Sequence, residues 1–221
     1  MIITISGLDG AGKSTQIDQL TRKFSDDGFK VRYVWARGGY TPGFELIKKC
    51  IRCIFKKTLP PSGPSNLRSE KLRSPLVQRV WLIIAIVDLM ILWGVYVRIC
   101  RAMKNVVICD RYLNDTLLDF RQNFPKSNIE NSIFWKLLKL ISPDADHCFL
   151  FWVPVELSVK RSLDKGEPFP DSREVLSWRL NSYMDESLFP RKTYFRVDGR
   201  AGREEISNIL YSKVRINFLA R

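Results

Sequence analysis

The stretch Gly7-Leu8-Asp9-Gly10-Ala11-Gly12-Lys13-Ser14 matches the pattern G-x-x-x-x-G-K-[ST] in full, with Thr15 directly after it. Glycines at these places let backbone N–H groups curl around phosphate oxygens, and a helix starting at the lysine adds positive potential at the same point. Lys13 is suited to the β and γ phosphates and the Ser14 hydroxyl to Mg²⁺. Gly7, Asp9, Gly10, Ala11, Gly12, Lys13, Ser14 and Thr15 thus form a candidate triphosphate cradle. The chain has no N-K-x-D tetrapeptide to read guanine, which favours ATP. A loop of this kind fixes a triphosphate and leaves the reaction open.

A second constellation is Asp110-Arg111-Tyr112, at the end of the apolar run Asn105–Cys109. A carboxylate at the carboxyl end of a strand facing the phosphate loop can hold a Mg²⁺ shell or orient an attacking oxygen, so Ser14 and Asp110 are the candidate metal ligands. Arg111 beside it would neutralise charge on a transferring phosphoryl group. Arg161 and Lys165 stand four apart on one helix face and can close on a γ-phosphate. Each has a plainer alternative: Asp110 and Arg111 as a structural ion pair, Arg161 and Lys165 as solvated helix charges.

The elements that must position these groups alternate between strand and helix. Ile2–Ser6 predicts a buried strand before the loop, and Ile17, Leu20 and Phe24 predict a helix after it, ended at Asp27-Gly28. Lys30–Ala36, Asn105–Cys109, His147–Val153 and Tyr194–Val197 predict further strands. Helical spacing recurs over residues 44–55, 129–141, 156–164, 172–188 and 204–218. The expected fold is α/β, with a parallel sheet of about five strands, helices on both faces in three layers, and ligands at the strands' carboxyl ends. The 221 residues suit a single domain, with a mobile loop over residues 56–75, where prolines, serines and basic residues gather, and a lid over residues 161–173.

Composition narrows the partners. Apolar residues make up 45% of the chain, enough for a core, and the net charge of +13 favours an anionic partner. With no nucleic-acid-binding motif, the basic balance reads first as a surface around a phosphate site and for a small-molecule phosphate acceptor. Five scattered cysteines and no secretory signal predict reduced thiols in a cytoplasmic protein. Cys50 and Cys53 lack the second pair that a zinc site needs, and the single histidine, His147, stands beside Cys148. Val80–Val97 is almost wholly apolar around Asp88 and approaches the length of a membrane span. A mid-bilayer carboxylate is costly, so the reading is a central core helix, with membrane association as the alternative.

These residues resemble the thymidylate kinase family of nucleoside-monophosphate kinases. The resemblance rests on Gly7–Thr15 with its internal Asp9, on Arg37 after the second strand, on Val106–Tyr112, and more loosely on Val153-Pro154 with Lys160-Arg161 and Lys165-Gly166. It implies transfer of the γ-phosphate of ATP to a nucleoside monophosphate, dTMP by default. It also implies catalytic roles for Lys13, Asp110, Arg111, Arg161 and Lys165. Acceptor contacts are implied from Asp9, Arg37, Asp88, Arg111 and Tyr112, and a homodimer through the Val80–Val97 helix.

The departures gather on the acceptor side. Leu89 stands where the family has a base-reading arginine, Asp115 where it has a small hydroxyl residue, and Asp119-Phe120 where it has Tyr-Gln. Pro168-Phe169-Pro170 replaces a later Asp-Arg step in the lid. Asp115 and Asp119, four apart, either serve an acceptor bearing hydroxyls, amines or a metal, or face solvent at a helix start. Two further readings follow: a kinase on this scaffold with a nucleoside or sugar acceptor, and a basic ATP-binding, membrane-associated module with little turnover.

Overall fold

The computed structural model describes residues 1–36, 74–166 and 170–219. Arg37, the predicted helix over residues 44–55, the C-x-x-C at Cys50 and Cys53 and nearly all of the 56–75 loop lie outside the described residues. The chain divides into two compact units. Among the described residues, the first takes in 1–35, 100–115 and 144 onward, and the second takes in 36, 74–99 and 116–143.

The first unit is built on a parallel sheet of five strands: β1 (Ile2–Gly7), β2 (Val31–Trp35), β3 (Val106–Asp110), β4 (His147–Trp152) and β5 (Tyr194–Asp198), in the order β2-β3-β1-β4-β5. β1 is central and buried along its whole length, as its run of isoleucines requires. Helices surround the sheet: α1 (Lys13–Asp26), α5 (Val155–Asp164), α6 (Arg173–Met184) and α7 (Arg203–Leu219). The predicted apolar stripe of α1 is buried, and α1 lies beside α7, where the Gln16 amide donates to Arg203 O at 2.9 Å. Ser172 caps α6, its hydroxyl accepting from Val175 N. Cys100, Cys109 and Cys148 are free, and burial pushes the Cys109 thiol up to about 12.

Register does the positioning. Ile5 pairs with Asp110 and Gly7 with Phe151, so the carboxyl ends of β1, β3 and β4 lie side by side. The phosphate-loop sequence leaves β1 where the Asp110-Arg111-Tyr112 sequence leaves β3.

The second unit holds most of α2 (Pro75–Ala102), together with α4 (Ile133–Ile141) and a 3₁₀ turn at Ile129–Asn131. α3 (Leu113–Asn123) runs from the first unit into the second. The predicted helix over 129–141 is therefore divided, because Ser132 caps α4 by accepting from Trp135 N at 3.2 Å. α2 is longer than the apolar run, starts with Pro75 at its first position, and is π-helical over Met90–Val97. Trp81 packs on Phe120 and Phe124, and Phe120 packs edge-on against Trp135. Gly94 lets Ile141 approach: a Cβ there would stand 2.9 Å from Ile141 Cδ1. Arg98 donates from Nε and Nη2 to Ile141 O at 3.0 and 2.8 Å, closing the carboxyl end of α4.

Candidate functional site

The loop Gly7–Lys13 takes the conformations that its glycines alone allow. Gly7 has φ +133°, and a Cβ on it would lie 2.0 Å from Phe151 O. Gly7→Ala should therefore destabilise the protein by roughly 2–3 kcal/mol, read from the urea midpoint, with phosphate-loop function lost. Gly12, at φ +92°, sits at the N-cap of α1, where no side-chain hydrogen bond caps the helix. The first turn of α1 thus offers backbone N–H groups at a glycine whose front is open, which fits a phosphate.

Lys13 lies across this loop. Its Nζ donates to Gly7 O at 3.0 Å and Leu8 O at 2.7 Å, with Asp9 Oδ1 3.4 Å away. Burial lowers its pKa, and the Asp9 carboxylate opposes the shift. Arg111 Nη2 donates to the same Asp9 Oδ1 at 2.7 Å. Arg111 itself has φ +73° and donates its backbone N–H to Ile5 O at 2.9 Å, so the turn after β3 is held against β1. Asp9 thereby gathers two cations beside the phosphate loop.

Asp110 ends β3 and is buried. Its Oδ2 accepts from Tyr33 OH at 3.1 Å, while Oδ1 is buried without a hydrogen-bond partner. Burial, then the Asp110 charge, raises the Tyr33 pKa, which keeps the phenol a donor. Ser14 is exposed at the start of α1. Among the described residues no group of three His, Cys, Asp or Glu side chains is placed to hold a metal ion. A cation here would need the phosphates as partners, with Ser14 and Asp110 completing its shell.

Arg161 docks on the loop, donating from Nη1 to Gly10 O and Gly199 O, both at 3.0 Å. Lys165 is exposed at the end of α5. The candidate lid spans the end of α5 and the start of α6, with residues 167–169 outside the described ones. Tyr112 is buried.

Asp115 is fully buried and Asp119 is 3% exposed, so neither faces solvent, and the reading of a solvent-facing pair falls. Asp115 Oδ2 accepts from Ser6 Oγ at 2.6 Å and Tyr112 N at 3.0 Å, and its Oδ1 accepts from Tyr183 OH at 2.8 Å. These bonds tie β1, the turn after β3, and α6 together. Asp115→Ala should cost on the order of 3 kcal/mol by urea unfolding, because it leaves buried donors unmet. Burial raises the Asp115 pKa, against the opposing Arg111 charge and hydrogen bonds. The folded chain then holds this proton more tightly than the unfolded one. The stability advantage of the parent over Asp115→Asn should be full in acid and decline as pH rises through the raised value.

Asp88 and Leu89 are buried in the second unit, as are Asp119 and Phe120, the last within the aromatic cluster of Trp81 and Trp135. The first unit therefore brings together Asp9, Lys13, Asp110, Arg111 and Arg161, while Asp88 and Asp119 belong to the other unit.

Several positioning groups carried no motif. Ser158 Oγ donates to Asp9 O at 2.6 Å. A Cβ on Gly199 would lie 2.4 Å from Ala11 O, so the turn after β5 closes on the phosphate loop. In the sequence, the turn-forming pair Asp198-Gly199 directly after β5 is the one hint of that approach; Ser6, Tyr33 and Tyr183 carry none.

A parallel β2-β3-β1-β4-β5 sheet with helices around it, and a glycine-lined phosphate loop at the end of its central strand, is the architecture of the α/β P-loop kinase fold. No family model matches the chain. Among curated proteins it is similar to thymidylate kinase of Bradyrhizobium sp. (strain ORS 278), 24% identical over 96% of this chain and 88% of that one. It is also similar to thymidylate kinase of Halothermothrix orenii (strain H 168 / OCM 544 / DSM 9562), 23% identical over 97% of this chain and 96% of that one. A second Bradyrhizobium thymidylate kinase (strain BTAi1 / ATCC BAA-1182) is 22% identical over 96% and 88%. These likenesses point to the thymidylate kinase family and suggest a kinase of nucleotides.

Proposed function

We propose that the protein transfers the γ-phosphate of ATP to a small acceptor, with a nucleoside monophosphate, dTMP by default, as the first candidate. The observation that carries this reading is the convergence of two buried cations, Lys13 and Arg111, on the half-buried Asp9 beside an uncapped helix start. The loop amides and the start of α1 would hold the triphosphate, and Lys13 would counter the charge that gathers on the β and γ oxygens. Arg111 would follow the transferring group, held in its left-handed turn by Asp9 and Ile5 O. Arg161, anchored to Gly10 O, would steady the loop, with Lys165 added as the lid closes. Mg²⁺ bound with the nucleotide would screen the phosphate charge. Asp110 Oδ1 is the buried oxygen available to that ion or to its water.

A second reading keeps this chemistry and changes the acceptor to a nucleoside or a sugar. Two observations favour it. Leu89 is wholly buried where the resembled family has an arginine, and Phe120 is fixed in an aromatic cluster. Neither offers a polar group to a thymine edge, and a base-reading site without its hydrogen bonds loses much of its discrimination. ADP release measured over a panel of nucleoside monophosphates, nucleosides and sugars separates the two. Turnover with dTMP supports the first reading, turnover with only a nucleoside or sugar supports the second, and no acceptor-dependent release sinks both.

A further inference from the structure

Asp115 is wholly buried, and its three hydrogen bonds lead to parts of the first unit that a phosphoryl transfer would use. Ser6, whose hydroxyl donates to Oδ2, directly precedes Gly7 of the phosphate loop. Tyr112, whose backbone N–H donates to the same oxygen, directly follows Arg111. Tyr183, whose hydroxyl donates to Oδ1, lies in the last turn of α6, the helix that starts where the candidate lid ends. Tyr183 is wholly buried and packs edge-on against Phe189, with 5.0 Å between ring centres, so its hydroxyl is fixed.

Arg111 has the backbone conformation that most needs such support. A side-chain-bearing residue at φ +73° is strained, and it persists only where the surroundings hold it. Two consecutive N–H groups hold this turn. Arg111 N donates to Ile5 O at 2.9 Å, and Tyr112 N donates to Asp115 Oδ2 at 3.0 Å. Both acceptors are referred to β1, Ile5 directly and Asp115 through Ser6 at 2.6 Å. From this turn the Arg111 side chain reaches Asp9 at 2.7 Å.

As the third residue of α3, Asp115 reaches back to the N–H before the helix, as an acidic residue there commonly does. Capping accounts for one of its bonds. It does not account for a carboxylate buried against two hydroxyls from distant elements. A small hydroxyl residue, which the resembled family has here, carries one oxygen and would meet fewer of the three donors.

We infer that Asp115 is a positioning residue for Arg111: it fixes the left-handed turn after β3 relative to the phosphate loop, and Tyr183 ties that arrangement to α6. Asp115 acts through the guanidinium it places. The effect on catalysis rests on the kinase reading above; the placement of Arg111 does not.

Two readouts on the full chain test it, one of them independent of turnover. In NMR, the Arg111 Nε–H resonance, identified by its absence from Arg111→Ala, should shift or broaden in Asp115→Ala. Asp115→Asn keeps an acceptor for Tyr112 N and should leave that resonance close to its parent position. In single-turnover transfer by protein shown to be folded, Asp115→Ala should be slower than the parent by about ten- to a hundredfold. Asp115→Asn should recover most of that loss. In an Arg111→Ala background, Asp115→Ala should slow transfer by less than about twofold further, because no guanidinium remains to be placed. Should Asp115→Ala fail to fold, Tyr183→Phe, which loses one hydroxyl bond, carries both readouts. It should move the resonance and slow transfer by roughly threefold or more, the latter only where Arg111 is present. An unmoved Arg111 resonance in the folded variant overturns the inference whatever the activity. Equal slowing with and without Arg111 also overturns it, since a merely structural role gives that result. A parent that transfers phosphate to no acceptor overturns the kinase reading alone, and the resonance still decides the placement of Arg111.

Discussion

Lys13→Ala is expected to lower the rate of phosphoryl transfer by about 10²–10³-fold while leaving the fold intact. The ammonium group is the cation closest to the loop that would hold the phosphates, and its partners Gly7 O and Leu8 O are backbone atoms of that loop. Charge that develops in a transition state is stabilised most by donors already fixed in a site shielded from water, and Lys13 is buried. Stability should respond in the opposite sense. Burial lowers the Lys13 pKa, so the nucleotide-free fold holds this charge at a cost. Between the lowered value and the ordinary lysine value, the unfolded chain binds more protons, and stability rises with pH across that window. The variant lacks this rise, and its urea midpoint near neutrality should equal or exceed the parent's. Single-turnover transfer and urea unfolding across pH read the two effects separately. Full activity in the variant would remove the donor site from the phosphate loop.

Asp110→Asn should have an effect of similar size, about 10²–10³-fold in kcat, with little change in stability. The amide fills the same space and still meets Tyr33, whose phenol now donates to Oδ2. What is lost is the negative charge at Oδ1, the buried oxygen without a partner. If that charge serves a Mg²⁺ shell, the variant should need more Mg²⁺ for half-maximal rate. Tyr33→Phe removes only the orienting bond and should cost a few-fold. Steady-state rates over a Mg²⁺ titration check all three, and undiminished activity in Asp110→Asn would make Asp110 a structural residue.

The donor side was legible in the sequence because its demands are local. Three glycines, a lysine and a serine within one turn of chain leave few other conformations or uses, and each of the three glycines takes a positive φ. The parallel sheet followed from the alternation of apolar runs with helical spacing. Asp110 was legible for the same reason, as a carboxylate ending a buried strand. What depended on tertiary contacts was not. Asp115 looked like one of a pair of surface or acceptor carboxylates, and only the approach of Ser6 and Tyr183 from distant elements makes it a buried acceptor of three hydrogen bonds. By its spacing alone, Arg161 is a helix charge or a lid charge. Its contact with Gly10 O exists because α5 runs back past the loop, which helical periodicity alone does not reveal. Phe120 stands at a position where the resemblance implies a nucleotide-contacting pair, while Trp81 and Trp135, far apart in sequence, place it in an aromatic core.

The central claim is that this phosphate loop donates a phosphoryl group to an acceptor. Incubation of the full chain with γ-labelled ATP, Mg²⁺ and the acceptor that releases most ADP, followed by isolation of the products, tests it most directly. The label should appear covalently on the acceptor with the parent protein and fall to about a hundredth or less with Lys13→Ala. Label recovered only as inorganic phosphate, or equal transfer by parent and Lys13→Ala, would contradict it.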